Sequence, residues 1–287
     1  MRNLPAKAEV RPAGQEPPSD TFWHYTSAAG ALGVLENKEF WATHVRFMND
    51  HEEIQRFVRI VVSVLEEFYD NEAYTVAQLG LRGAKTLLTT WLPVNFFVVS
   101  FTTLPDSLSQ WRAYSGGSNG YALGFSGESL RAAGEGWVFE RCIYEQTHAR
   151  DIAMCIVEES LTEYMSEPIP DVDDFGFFSL LDILYPRVIK YAAQIKHEAF
   201  ADEREWRLIG GPFDDDRFNN RIGPRGITPY VKLATPKTED GKIGLTEVVL
   251  GPGATKEMLF SVGTIIKMDE DYGDEISFCK SFAPYRM

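Results

Sequence analysis

Phe22 to His44 reads FWHYTSAAGALGVLENKEFWATH. The segment from Thr21 to Thr26 reads as a short strand, because its aromatic and β-branched side chains suit a half-buried pleat. Ser27 or Thr26 is placed to cap the helix that follows, whose apolar positions Leu32, Val34 and Leu35 fit one face. From Phe40, FWATHVRF returns to extended chain. A strand that ends in His24, Tyr25 and Thr26 directly before a helix marks a place where proteins hold anionic cofactors. It is equally an ordinary structural joint.

Downstream, MNDHEEIQRFVRIVVSVLEEFY places Asp50 and Glu53 at capping-box spacing. Ile54, Phe57, Val58, Val61 and Leu65 then repeat at helical period. A second helical piece spans about Glu72 to Thr90. NFFVVSFTT, SNGYALGFS and VFERCIYE read as strands, with a turn and a short helix or loop in LPDSLSQWRAYSGG. Ala149 to Ser166 and Phe178 to Phe200 read as helices joined by the acidic loop EPIPDVDDFG. EWRLIGG is a strand, FDDDRFNNRIGPRG a loop, and ITPYVKLA and LTEVVLGPGA strands, before a short helix and a last strand. With no regular βαβ alternation and no internal repeat, this order predicts an α+β fold: a mostly antiparallel sheet core with inserted helices. Residues 1–20 read as a flexible tail and 21–287 as a single α+β domain.

Bulk composition narrows the function classes. The 287 residues are 44% hydrophobic and 13% aromatic, enough for a packed core. A formal net charge of −14 repels a polyanion at long range and disfavours a nucleic-acid backbone as the main partner. Cys142, Cys155 and Cys279 form neither a disulfide framework nor a metal knuckle, and they predict reduced thiols in a cytoplasmic protein. No apolar run approaches the ~20 residues of a membrane span.

Three constellations carry chemistry. On the first strand, His24 and Thr26 share a face, with Tyr25 between them, and are suited to ribose hydroxyls. A capping Thr and a backbone-bonded His explain the same residues. The second is Glu203-Arg204-Glu205-Trp206-Arg207. If extended, it sets Glu203, Glu205 and Arg207 on one face, where one carboxyl pKa should rise against the pull of Arg207. Such a pair serves proton management or a cationic transition state, or simply keeps a sheet edge solvated. In the third, Ser100 to Tyr121, the aromatic planes of Trp111 and Tyr114 beside Arg112 are suited to sandwich a planar charged ring. Gly116, Gly117 and Gly120 would let that loop close, whereas Trp111 also fits as a core plug. No phosphate loop, HExxH helix or GxSxG elbow is present, and His44 and His51 near Asp50 and Glu53 are weak evidence for a metal.

WHYTS, FWATHVRFMND, QWRAYSGGSNGYALGF, EREWRLI, TPYVKL, EVVLGPGA and KSFAPYR run in register with the DUF2971 family of uncharacterised bacterial proteins. The chain is identified as a member from about Phe22 to Arg286. A more distant resemblance is to ADP-ribosyltransferase folds of the PARP and DarT type, which have a split sheet, a His on the first core strand, a later aromatic residue and a late catalytic Glu. Those roles fall on His24 with Thr26, on Tyr114 or Tyr121, and on Glu205. The Glu203-x-Glu205 pattern is similar to the paired glutamates of arginine-type transferases.

This second resemblance implies NAD as substrate, held by His24, Tyr25, Thr26, Ser100, Trp111, Arg112, Tyr114, Tyr121 and Arg207. Glu205, helped by Glu203 and His24, would stabilise the sugar cation as nicotinamide leaves, without a metal. It further implies a toxin or phage-defence effector with an unidentified acceptor. A non-catalytic nucleotide- or protein-binding module, and a metal-assisted nuclease or hydrolase using Glu203 and Glu205, are the alternatives. Every catalytic version requires His24 and Glu205 to line one cleft.

Overall fold

The computed structural model describes residues 20–48, 53–90, 95–166, 176–223 and 226–284. The expected tail, the Asp50 cap, His51 and most of the acidic loop lie outside them. Among the described residues, ten strands join in one sheet: β1 (Thr21–Thr26), β2 (Glu39–His44), β3 (Phe97–Thr102), β4 (Tyr121–Ser126), β5 (Trp137–Arg141), β6 (Glu205–Gly210), β7 (Asn219–Gly223), β8 (Gly226–Ala234), β9 (Leu245–Leu250) and β10 (Ser277–Lys280). The β9–β10 pair is parallel and the other strand pairs are antiparallel, so the protein is α+β with a mostly antiparallel sheet.

Side chains alternate across the pleat, and each face of the sheet has its own apolar cover. On one face lie Phe22, Phe40, Phe97, Val99, Phe101 and Leu208, under α1 (Ala28–Asn37), α5 (Gly127–Arg131) and α8 (Lys256–Met268). On the other lie Val98 and Ile209, under α2 (Glu53–Tyr69), α3 (Gln78–Thr90), α6 (Gln146–Ser166) and α7 (Gly176–Ala192). A smaller cluster on this second face gathers Trp23, Tyr25 and Val249 around Trp111 of α4 (Leu108–Tyr114). The helical period of α2 is explained by this packing: Phe57, Val58, Val61 and Leu65 are all buried against the sheet and α3, α6 and α7.

Three local expectations are corrected. Leu32 is 46% exposed, so α1 packs through Ala31, Val34 and Leu35 instead. The loop after Phe213 contains β7, which forms a hairpin with β8. The helix expected to reach Phe200 stops at Ala192, and the chain resumes as a 3-10 turn from Glu198 to Glu203.

The sheet is not evenly joined at its centre. β6 occupies one edge of β3 over its full length, from Phe97 to Thr102. β1 and β2 must therefore share the opposite edge. β1 pairs with β3 only at Trp23–Thr102, and β2 only at Thr43–Val98 and His44–Phe97. Each strand then leaves β3, opening a fork around Ser100. Had both pairings continued, Tyr25 and Trp41 would each have stood opposite Ser100.

Candidate functional site

The fork is lined from three strands. Ser100 is half-buried, although its strand neighbours Val99 and Phe101 are fully inside. His24 fills the gap. Its Nδ1 donates to the Ser100 carbonyl at 2.9 Å, which fixes the tautomer because a carbonyl only accepts. Nε2 is therefore an acceptor, and no described residue answers it. The ring rests between Phe40 and Phe101, with centroids 5.6 and 5.7 Å away. Burial holds the imidazole pKa below its ordinary value; the Ser100 bond opposes this and the charge of Arg221 adds to it. His24 is a neutral, oriented group that retains some solvent exposure.

On the β2 side stands an aromatic ledge. Trp41 is 37% exposed and stacks on Tyr230 of β8, with centroids 4.9 Å apart. Its indole N–H donates to Glu39 at 3.0 Å, and Lys232 pairs with that carboxylate at 2.9 Å, so the ring is held in place from below. Thr43 of the same strand accepts from Arg221 Nη2 at 2.6 Å.

A second polar cluster lies buried beside the fork, on the same face of the sheet as Ser100. Glu205 takes Arg207 Nε at 2.8 Å on one oxygen, and Arg207 Nη2 at 3.1 Å with Lys196 Nζ at 2.5 Å on the other. Lys196 also reaches Glu203 at 2.6 Å, and Arg207 Nη1 donates to the Ala193 carbonyl at 2.7 Å. Glu205, Arg207 and Lys196 are each 5% exposed or less. Burial alone would push the Glu205 carboxyl up; the charges and hydrogen bonds of Arg207 and Lys196 overcome it and hold the group at about 2. Lys196 is held above its ordinary value, against the effect of burial, chiefly by the charge of Glu205.

These two clusters correct the sequence expectations. Trp23, Thr102 and Glu205 are opposite one another along two ladders and share a face. His24, next to Trp23, points to the other. His24 and Glu205 therefore lie on opposite faces and do not line one cleft. The Glu205 pKa falls, because Arg207 holds that carboxylate and Lys196 bridges it to Glu203. A carboxylate held at about 2 with both oxygens bonded has no role as a proton carrier. Glu203 is on the 3-10 turn, not on an extended strand.

Tyr25 and Trp111 are also structural. The Tyr25 hydroxyl donates to Leu104 and accepts from the Ser107 N–H, both at 2.9 Å. Burial raises its pKa. Trp111 is fully buried and donates to Asp106 at 2.6 Å. Ser27, not Thr26, caps α1, accepting from Gly30 at 3.2 Å. A side chain at Gly30 would strike the Thr26 hydroxyl, so that glycine makes room for the end of β1. Tyr121 is 8% exposed, opposite Thr26, on the His24 face. Arg112 is exposed and Tyr114 half-buried against the Trp111 cluster, away from the fork-lining ladders.

Of the expected ligand residues, the fork unites His24 and Ser100. The sequence reading missed Trp41, Thr43 and Arg221, and also Lys196. For Arg221 the turn residues Gly-Pro-Arg-Gly marked a chain reversal, but the run before them, Asn219 to Ile222, lacks a strand pattern of its own. Lys196 gave no signal, because its partners are set by how the chain folds back after α7.

Fold and site together define an α+β protein with a forked, mostly antiparallel sheet. Residues 110–208 match the family model DUF2971, described as a protein of unknown function, which bears out that family resemblance over 99 of the 287 residues. This segment runs from α4 to β6, including the Glu205 cluster and leaving out the fork residues His24, Trp41, Thr43, Ser100 and Arg221. No curated protein and no solved structure matches the chain. No helix among the described residues is long and apolar enough to cross a membrane.

Proposed function

We propose that the protein binds a nucleotide-type small molecule of the NAD class in the fork between β1, β2 and β3. The observation that carries this reading is His24: a neutral imidazole, locked by Ser100, that offers Nε2 without a partner among the described residues. Such an acceptor suits a ligand hydroxyl, including those of ribose. The gap passes between the strands, so groups of the face opposite His24, the half-exposed Ser100 hydroxyl and the Trp41 ledge, border it as well and supply a second polar contact and a plane for a base. Glu205 has no part in this reading. Any cleavage of the nicotinamide–ribose bond would need another group to stabilise the sugar cation. Metal-assisted hydrolysis by Glu203 and Glu205 fits poorly, since both acids already grip the Lys196 ammonium, whose charge opposes a divalent cation.

The test is a thermal-shift series with NAD, ADP-ribose and ADP, with nicotinamide release followed in parallel. A ligand at a hundred times its dissociation constant stabilises the fold by ~2.7 kcal/mol. Wild type should shift and His24→Phe should not. A His24→Phe protein that shifts as much as wild type would overturn the site, and nicotinamide release would extend the proposal from binding to reaction.

A further inference from the structure

We infer that the fork contains an anion subsite built on Arg221, so that its ligand is a phosphorylated nucleotide rather than a nucleoside. This rests on the fork being the binding site. Arg221 belongs to β7, at the edge of the sheet, yet its guanidinium reaches back across β8 to Thr43 of β2. It lies over the Tyr230 ring, 6.0 Å from the centroid, within the electrostatic reach of His24. Nη2 donates to Thr43. Among the described residues, nothing answers the buried Nε and no carboxylate pairs with the group.

Burial depresses its pKa, as expected for a cation taken from water without a counter-ion. In a chain with 42 acids against 28 bases, this stands out. Arg131, Arg150, Arg187 and Arg207 each have a carboxylate at 2.8 Å or less. A guanidinium held by a hydroxyl and an aromatic face, with donors to spare, is suited to phosphate oxygens, which it can engage in pairs. Tyr230 and Trp41 then continue as one aromatic surface from the charge towards the fork. The phosphate end and the base end of a nucleotide thereby each have a counterpart on this face of the sheet.

The deciding experiment is calorimetric titration of wild type, Arg221→Gln and His24→Phe with ADP, adenosine and inorganic pyrophosphate. ADP should bind wild type at least about tenfold more tightly than adenosine, the size of a charged hydrogen bond. Arg221→Gln should remove that preference while leaving adenosine affinity within about twofold. Pyrophosphate should compete with ADP on wild type and not on Arg221→Gln. Because the substitution removes an uncompensated buried charge, the melting temperature should hold or rise.

A folded Arg221→Gln protein with undiminished ADP preference would overturn the anion subsite and leave the fork reading intact, provided His24→Phe loses ADP. A melting temperature lowered by several degrees would also overturn it, making Arg221 structural. If ADP and adenosine both fail to bind wild type, the fork reading falls, and the subsite falls with it.

Discussion

The cluster around Glu205 and His24 in the fork sit on the same central strands but on opposite faces of the sheet. Both hold titratable groups away from water, but they differ in what answers those groups. Around Glu205 the chain supplies both signs of charge, and both oxygens of Glu205 meet donors. At the fork, Nε2 of His24 and Nε of Arg221 meet nothing from the described chain. Saturated polar groups fix a fold; unsaturated, oriented ones have bonding capacity left for something else. The residues that looked most catalytic in sequence thus belong to the first kind, and a residue within an expected loop belongs to the second.

The largest expected effect breaks the saturated side. Glu205→Ala leaves two buried cations facing each other and should cost ~3–5 kcal/mol in urea unfolding. A loss below ~1 kcal/mol would mean the cluster is not holding the sheet to α7.

Acid should act on the same group. The folded carboxyl sits at about 2 against an ordinary 4.5, so its stabilisation is present above pH 4.5 and lost as pH falls towards 2. By linkage the swing is ~3 kcal/mol. Glu205→Gln should flatten that acid limb; an unchanged limb would assign acid unfolding to other carboxylates.

On the fork side the same logic predicts small stability effects and large binding effects. His24→Phe removes one hydrogen bond and should cost ~1 kcal/mol in stability. If it costs as much as Glu205→Ala, His24 is a wedge of the fold rather than a ligand group.

Trp41→Ala should be milder still, ~0.2–1 kcal/mol for a cross-strand aromatic pair. It should weaken ADP binding by about tenfold through lost stacking. Unchanged ADP affinity would remove the ledge from the site.

Much of the sheet was legible from local pattern. β1, β3, β4, β6, β8 and β9 announce themselves by aromatic and β-branched runs bounded by turn residues, and α2 by its apolar period. β7 was not, because Asn219, Asn220 and Gly223 have weak strand preference and pair only because β8 offers an edge. Within the candidate site, His24 and Ser100 stood in separate constellations of the sequence, and the structure joins them through the Ser100 carbonyl, whereas it sets His24 and Glu205 apart.

The amino-acid sequence by itself determined the fold class, most strand and helix positions, and the family resemblance, because periodicity and turn chemistry are local properties. Only the tertiary structure decided which polar residues meet. A one-residue step along a strand carries a side chain through the sheet, so His24 and Trp23 serve different faces, and Glu205 follows Trp23. That alternation, together with a fork formed where two strands leave the same edge of β3, put Lys196 beside Glu205 and carried the Arg221 guanidinium to Thr43. No spacing along the chain encodes either pairing.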